Sequence, residues 1–282
     1  MRIWGLSGRS SSSKFECTAP VLSVDWNKKN ENILLAGTSI GKIKIWNIET
    51  GKCFSEVLTD ADTEYRNICD IASCPSNGQY CVASSGNSEQ QSEQGALLGY
   101  NIKQMRVENR FPVPTAVTSV VFNHNGTMIL TAGADGWIRV YDVNSQKAIM
   151  EWKAHVGPVT SVQLSRNETT ILSTGTDNRI IHWSAHHEGR ILDEIYPSFT
   201  HENNELFNQD ITPRIALTSD GNEMFIYNNP SVVYSMINKK PIFSLSSPLM
   251  TALDCHSHGH EEVYLAGADA SNFNLYLYSF IS

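Results

Sequence analysis

His155, Ser173 and Asp177 are the residue types of a nucleophile relay. In a hydrolytic reading Ser173 would attack, His155 would take its proton and Asp177 would orient the imidazole. Such a nucleophile needs an exposed hydroxyl beside an oxyanion site. Ser173 instead falls within the apolar run "TILSTG", 170–175, so no catalytic role is expected for it.

A second cluster is "CHSHGHEE", with His256, His258 and His260 beside Glu261 and Glu262. Histidines alternating on a strand would share one face and could hold a metal. The stretch lies between "TALDC" and "VYLAG", which favours an exposed inter-strand turn, and no metal or cofactor is assigned. His186-His187 in "SAHHEG" has the same turn character. Gly86, Gly95 and Gly99 do not link a strand to a helix, so they carry no nucleotide signal. Lys42, Lys44, Lys239 and Lys240 are too dispersed for a nucleic-acid face. The formal charge of −8, from 29 acidic and 21 basic residues, points the same way and disfavours anionic lipid.

The 282 residues are 41% hydrophobic, enough for a substantial core. No apolar run reaches about 18 residues, so no transmembrane helix is expected. The opening "MRIWGLSGRSSSSK" has no apolar signal core. The six cysteines form no C-x-x-C pair and fit reduced, mostly buried positions in a cytoplasmic protein. Asn125 and Asn167 begin N-x-T triplets with the character of turns.

The elements that hold these residues repeat. Ser119 aligns with Ser161, Asp135 with Asp177 and Tyr141 with Trp183, each a step of 42 residues. One unit comprises "VTSVVF" (117–122), "TMILTAG" (127–133), "WIRVYD" (137–142) and "AIMEWK" (148–153). The next comprises "VTSVQL" (159–164), "TILSTG" (170–175), "RIIHWS" (179–184) and "RILDEI" (190–195). β-branched and aromatic runs bounded by Gly, Asn and Asp predict strands. Asp135-Gly136 and Asp177-Asn178 predict hairpin turns that need positive φ.

Weaker copies span 21–57, 68–110 and 214–246, and three strands span 249–280. In the copy at 21–57, Ile40 stands where the turn aspartate falls elsewhere. A polar insertion within 84–95, centred on "NSEQQSEQ", is expected to be a mobile loop. "FTHENNELFNQD", 199–210, reads as a polar connection. Four-stranded units at this period are the signature of WD-repeat β-propeller blades. The expected fold is therefore all-β: one domain over 1–282, an incomplete seven-bladed ring with about six blades present. Met1–Trp4 and 12–18 are expected to be the last two strands of a unit truncated at the N-terminus. The rival reading is a six-bladed ring that 12–18 completes.

"FNHNGTMILTAGADGWIRVYD" (122–142), "WKAHVGPVTSVQLS" (152–165) and "IIHW" (180–183) resemble the C-terminal propellers of a WD-repeat family of endosomal proteins. By that resemblance His155, Ser173, Asp177 and Trp183 form the structural hydrogen-bond tetrad of a WD repeat. The preceding unit keeps Asp135 with Tyr141 but has no matching histidine. The resemblance implies a non-catalytic interaction scaffold. It would restrain phosphatidylinositol 3-kinase activity and bind a late-endosomal Rab GTPase, promoting early-to-late endosome conversion. It implies peripheral attachment to early and late endosome membranes, and, for the family, an N-terminal helical region that self-associates. A generic WD-repeat adaptor, such as a ubiquitin-ligase substrate receptor, is the alternative.

Overall fold

The short β-branched runs do form strands, and the computed structural model describes residues 2–3, 13–14, 16–17, 19–58, 67–78, 80–86, 95–196, 214–217, 223–227, 231–245, 250–258, 262–269 and 275–281. The insertion core at 87–94 and the connection at 199–210 lie outside them, as do His260 and Glu261. The chain divides into two compact units, Met1–Lys153 and Ala154–Ser282.

In the first unit β1 (Arg2–Ile3) pairs antiparallel with β2 (Ser13–Lys14). One four-stranded sheet contains β3 (Val21–Trp26), β4 (Ile33–Thr38), β5 (Lys42–Asn47) and β6 (Lys52–Leu58). The next contains β7 (Asn67–Ser73), β8 (Tyr80–Gly86), β9 (Gly95–Asn101) and β10 (Arg106–Phe111). A third contains β11 (Val117–Phe122), β12 (Met128–Gly133), β13 (Trp137–Asp142) and β14 (Lys147–Lys153).

The second unit opens with the sheet of β15 (Val159–Leu164), β16 (Thr170–Gly175), β17 (Ile180–Ser184) and β18 (Ile191–Ile195). It continues with β19 (Arg214–Leu217), β20 (Glu223–Tyr227), β21 (Ser231–Ser235) and β22 (Lys240–Leu245). A three-stranded sheet holds β23 (Met250–His258), β24 (Glu262–Asp269) and β25 (Leu275–Ile281). Strand β23 corrects the expected turn at the histidine cluster. The backbones of His256 and His258 pair with those of Tyr264 and Glu262, so the hairpin ladder includes both histidines and ends at His258.

The sheets repeat more closely than their sequences do. The pairing of first and second strands shifts register at one place in five sheets, between Val21 and Ser23, Ile68 and Asp70, Val117 and Ser119, Val159 and Ser161, and Met250 and Ala252. A second shift recurs between third and fourth strands, at Ile45/Trp46, Val140/Tyr141, His182/Trp183 and Val233/Tyr234. Such bulges bend a strand and increase its twist. In the turns between second and third strands Gly41, Gly136 and Asn178 take φ of 75°, 83° and 58°. The amides of Gly136 and Asn178 close these turns onto Gly133 and Gly175 at 3.1 and 3.2 Å.

Within the first unit the sheets pack face to face. Leu35, Ile43 and Ile45 meet Ile68, Cys81, Leu98 and Tyr100. Tyr80, Val82, Leu97 and Phe111 meet Val120, Phe122, Ile129 and Tyr141. Tyr141 stacks edge-on against Phe111 at 5.9 Å and donates its hydroxyl to the Pro112 carbonyl at 3.0 Å.

Carboxylates on the first strands reinforce this packing. Asp25 on β3 accepts the Ser73 amide of β7 at 2.6 Å. Asp70 on β7 accepts the Val120 amide of β11 at 2.8 Å and its neighbour Ile71's amide at 2.9 Å. In the second unit Gln163 on β15 performs the same task with its amide, donating to the Ile215 carbonyl of β19 at 2.8 Å. There Leu172, Ile180 and Ile195 pack against Ile215, Met224 and Ile226.

Burial pushes the Asp70 carboxyl up to about 6, against the pull of its hydrogen bonds from Val120, Ile71 and Ser119, while the Asp25 charge adds to the push. Folding therefore favours the protonated form. The stability this group contributes is full below the ordinary value of 3.8 and is lost as pH rises through about 6. Urea unfolding across this range should show wild type losing stability with rising pH relative to Asp70→Asn. A difference that stays flat would contradict this assignment.

Candidate functional site

The 170–184 hairpin sets the geometry of the polar relay. Ser173 on β16 lies opposite Ile181 of β17, and Trp183 lies opposite Ile171. His155 sits in the loop entering β15, and Asp177 in the turn between β16 and β17. The Trp183 indole N–H donates to Ser173 Oγ at 2.9 Å. Ser173 Oγ lies 2.8 Å from His155 Nε2, and His155 Nδ1 lies 2.8 Å from Asp177 Oδ1. A neutral imidazole protonated on Nδ1 satisfies every partner: the serine hydroxyl donates to Nε2, and Nδ1–H donates to the carboxylate.

Burial holds the His155 imidazole below its ordinary value, although Asp177 pulls the other way. Burial would raise Asp177. The Val156 amide, His155 and Arg179 outweigh it and hold the carboxyl below the usual range. Arg179 reaches Asp177 Oδ2 through Nε at 3.0 Å and Nη2 at 2.9 Å. Gly175 makes room for the ring, since a Cβ there would stand 2.5 Å from His155 Cγ and Nδ1.

This relay cannot act as a hydrolytic triad. Ser173 has no exposed surface, and its oxygen already accepts the Trp183 N–H. A nucleophile must present a lone pair to substrate. The four residues tie the turn, the hairpin and the entering loop together, and their chemistry is structural.

In the preceding sheet the equivalent aspartate solves its pairing differently. Asp135 accepts the Arg139 guanidinium through both oxygens, at 3.2 and 2.6 Å. Arg139 also reaches Glu151 at 3.4 Å and lies 5.7 Å from the Trp137 ring centre. It occupies the place of Ile181 in the next repeat, so a part-buried ion pair replaces the histidine relay there. The arginine inside "DGWIRVYD" was the available signal for this pair. Asp25, Asp70 and Gln163 were equally visible as polar residues inside apolar first strands. Asn125 and Asn167 form small turns, each accepting the hydroxyl of the threonine two residues on, at 2.6 and 2.8 Å.

Among the described residues no group of three His, Cys, Asp or Glu side chains is placed to hold a metal. No helix among them is long and apolar enough to cross a membrane.

These features define a WD-repeat β-propeller protein. The family model "WD domain, G-beta repeat" matches residues 108–142 and 146–184. The β-propeller domain of Myceliophteria thermophila Cps50 (Swd1) superposes with a TM-score of 0.76, covering 100% of this chain and 89% of that one at 16% identity. The sequence relatives are more specific. The Dictyostelium discoideum WD repeat-containing protein 91 homolog is 28% identical over 275 residues, 95% of this chain and 34% of its own length. WD repeat-containing protein 91 of Gallus gallus is 30% identical over 247 residues, 78% of this chain and 33% of its own length. That of Danio rerio is 32% identical over 183 residues, covering 61% of this chain and 25% of that one. The chain is thus a homologue of WD repeat-containing protein 91, spanning between 25% and 34% of the length of these relatives.

Ser173→Ala removes the partner of both the His155 Nε2 acceptor and the Trp183 N–H donor, and at about 1–3 kcal/mol per buried group it should cost about 2–6 kcal/mol. Paired with His155→Ala, the losses should be less than additive in urea unfolding. Because both His155 and Asp177 titrate below their ordinary values, the relay's contribution should shrink on acidification, starting below the histidine value of 6.5. His155→Leu should flatten that slope between neutral pH and the carboxylate range. Additive losses or an unchanged slope would refute the relay.

Proposed function

We propose that this chain is a non-catalytic interaction scaffold in endosomal trafficking that restrains phosphatidylinositol 3-kinase activity and so promotes early-to-late endosome conversion. WD-repeat propellers act generally as interaction modules. Their rigid sheets present loops to partners, and the mechanism is occupancy of a surface. The observation that carries the endosomal reading is the similarity to WD repeat-containing protein 91 across 95% of the chain. The family resemblance supplies the role. The partners would be subunits of the phosphatidylinositol 3-kinase complex and a late-endosomal Rab GTPase, met at the cytoplasmic surface of early and late endosomes.

Fold similarity alone would not license this role, because one fold hosts many functions. The chemistry of the site is consistent with it. The Ser173 relay is sealed by its own hydrogen bonds and serves to hold the hairpin in place.

The test uses the purified 282-residue chain and a purified phosphatidylinositol 3-kinase complex. The chain should bind in interferometry and lower the yield of phosphatidylinositol 3-phosphate on vesicles. Ser173→Ala, assayed at a temperature where it stays folded, should retain both properties. Absence of binding, or binding without any change in lipid product, would remove the endosomal reading and leave the interaction module.

A further inference from the structure

The two-stranded sheet of β1 and β2 is half of a repeat. Arg2 lies opposite Lys14 and Ile3 opposite Ser13, which are the pairs Lys44 with Glu56 and Ile45 with Ser55 of β5 and β6 displaced by 42 residues. The same step relates Asp135 to Asp177. By register, then, β1 is a third strand and β2 a fourth. Among the described residues β1 pairs with β2 alone, so the edge at which a second strand would stand is open. At this step the counterparts of β3 and β4 fall ahead of Arg2.

The face of the following sheet matches that edge. The exposed residues of β3 alternate as Leu22, Val24 and Trp26 and so share one side of the strand. Asp25 points the other way, to the Ser73 amide of β7, so the three turn away from the β7 sheet. The recurring register shift aligns Val24 with Ile71 and Val120, and Trp26 with Phe122. Val24 is 52% exposed, whereas Ile71 and Val120 are each 3% exposed. Trp26 is 43% exposed, against 8% for Phe122. Ile71 packs with Leu35, Ile43 and Ile45 of the preceding sheet, and Val120 and Phe122 pack with Val82 and Leu97 of theirs. The chain leaving β2 reaches this same face of the β3 sheet. Cys17 packs with Ala36 and Trp46, whose neighbours Leu35 and Ile45 serve the opposite face.

We propose that the open edge of β1 and the exposed face of β3 receive one occupant: a two-stranded antiparallel hairpin that precedes β1 in a longer form of this chain. It would supply the first and second strands of the sheet whose third and fourth strands are β1 and β2. Its second strand would pair with β1 and set aliphatic residues against Val24 and Trp26, as Leu35 of β4 does against Ile71. The repeat argues for a source in the same chain, because the strands of each four-stranded sheet follow one another in sequence. The relatives leave room for it, since this chain spans between 25% and 34% of their length. The inference does not depend on the endosomal reading.

An extension taken from the chain's own repeat tests it. A copy of residues 21–42, with Phe in place of its tryptophan, is joined directly ahead of Met1, which restores the step of 42. The unfolding midpoint in urea should shift upward. Acrylamide quenching of Trp26, read as the difference from Trp26→Phe, should fall to that of a buried indole. The same residues in scrambled order should do neither. Leu22→Asp/Val24→Asp, made in the original β3, should abolish both changes, because the hairpin would then bury two unpaired charges. Should the extended chain fail to fold, the copy added as a free peptide should still lower Trp26 quenching in the 282-residue chain and leave it unchanged in Leu22→Asp/Val24→Asp. The longest transcript should encode two β-branched runs joined by a turn immediately ahead of Met1.

A copy that changes neither midpoint nor quenching, joined or free, or that acts no better than the scrambled one, would overturn the proposal. So would a longest transcript without such a pair of runs, which would make the occupant a separate molecule. A dimer in sedimentation that Leu22→Asp/Val24→Asp dissolves would overturn it too, by making a second copy the occupant.

Discussion

A four-stranded antiparallel sheet that is apolar on both faces cannot be stable until each face meets a neighbour. That constraint governs this molecule. Val82 and Leu97 leave one face of their sheet for the next, while Ile68 and Leu98 serve the other face. A first strand has few residues with which to make this contact. Its polar side chains therefore carry part of the task, since Asp25, Asp70 and Gln163 each bond the backbone of the following sheet. Such bonds are directional, and apolar burial is not. They fix how one sheet sits on the next, where hydrophobic contact alone would tolerate sliding.

The same logic applies within a sheet. The relay from Trp183 to Asp177 and the ion pair of Asp135 with Arg139 are two solutions to one problem. Each holds the turn between second and third strands against its own sheet. The aspartate is shared, and the partner differs because the next repeat places Ile181 where this one places Arg139. Both solutions consume the polar groups they use. The functional surface of such a module lies in its loops and rims, where side chains remain open to a partner.

Much of the fold was legible in the sequence. The step of 42 residues, the β-branched runs and the Asp-Gly and Asp-Asn turns predict strands and hairpins, because turn chemistry and propensity are local properties. The recurring bulges were not legible. A register shift between Val117 and Ser119 depends on how a strand meets its neighbour, and no residue type announces it. The extent of β23 was missed for a related reason. Histidine and serine are poor strand formers by pattern, yet pairing with β24 carries the ladder to His258. The relay could be assembled from four residue types at matching positions. The carboxylate of Asp70 could not, since its partner amide lies 50 residues away.

The most direct measurement of the central claim is residue-resolved amide hydrogen exchange on the folded chain. The Ser73 and Val120 amides belong to first strands, and each donates to a carboxylate of the preceding sheet. If those carboxylates bind the sheets together, both amides exchange as slowly as the ladder amides of β8 and β12. Exchange at the rate of exposed loop amides, with the ladders still protected, would contradict the account.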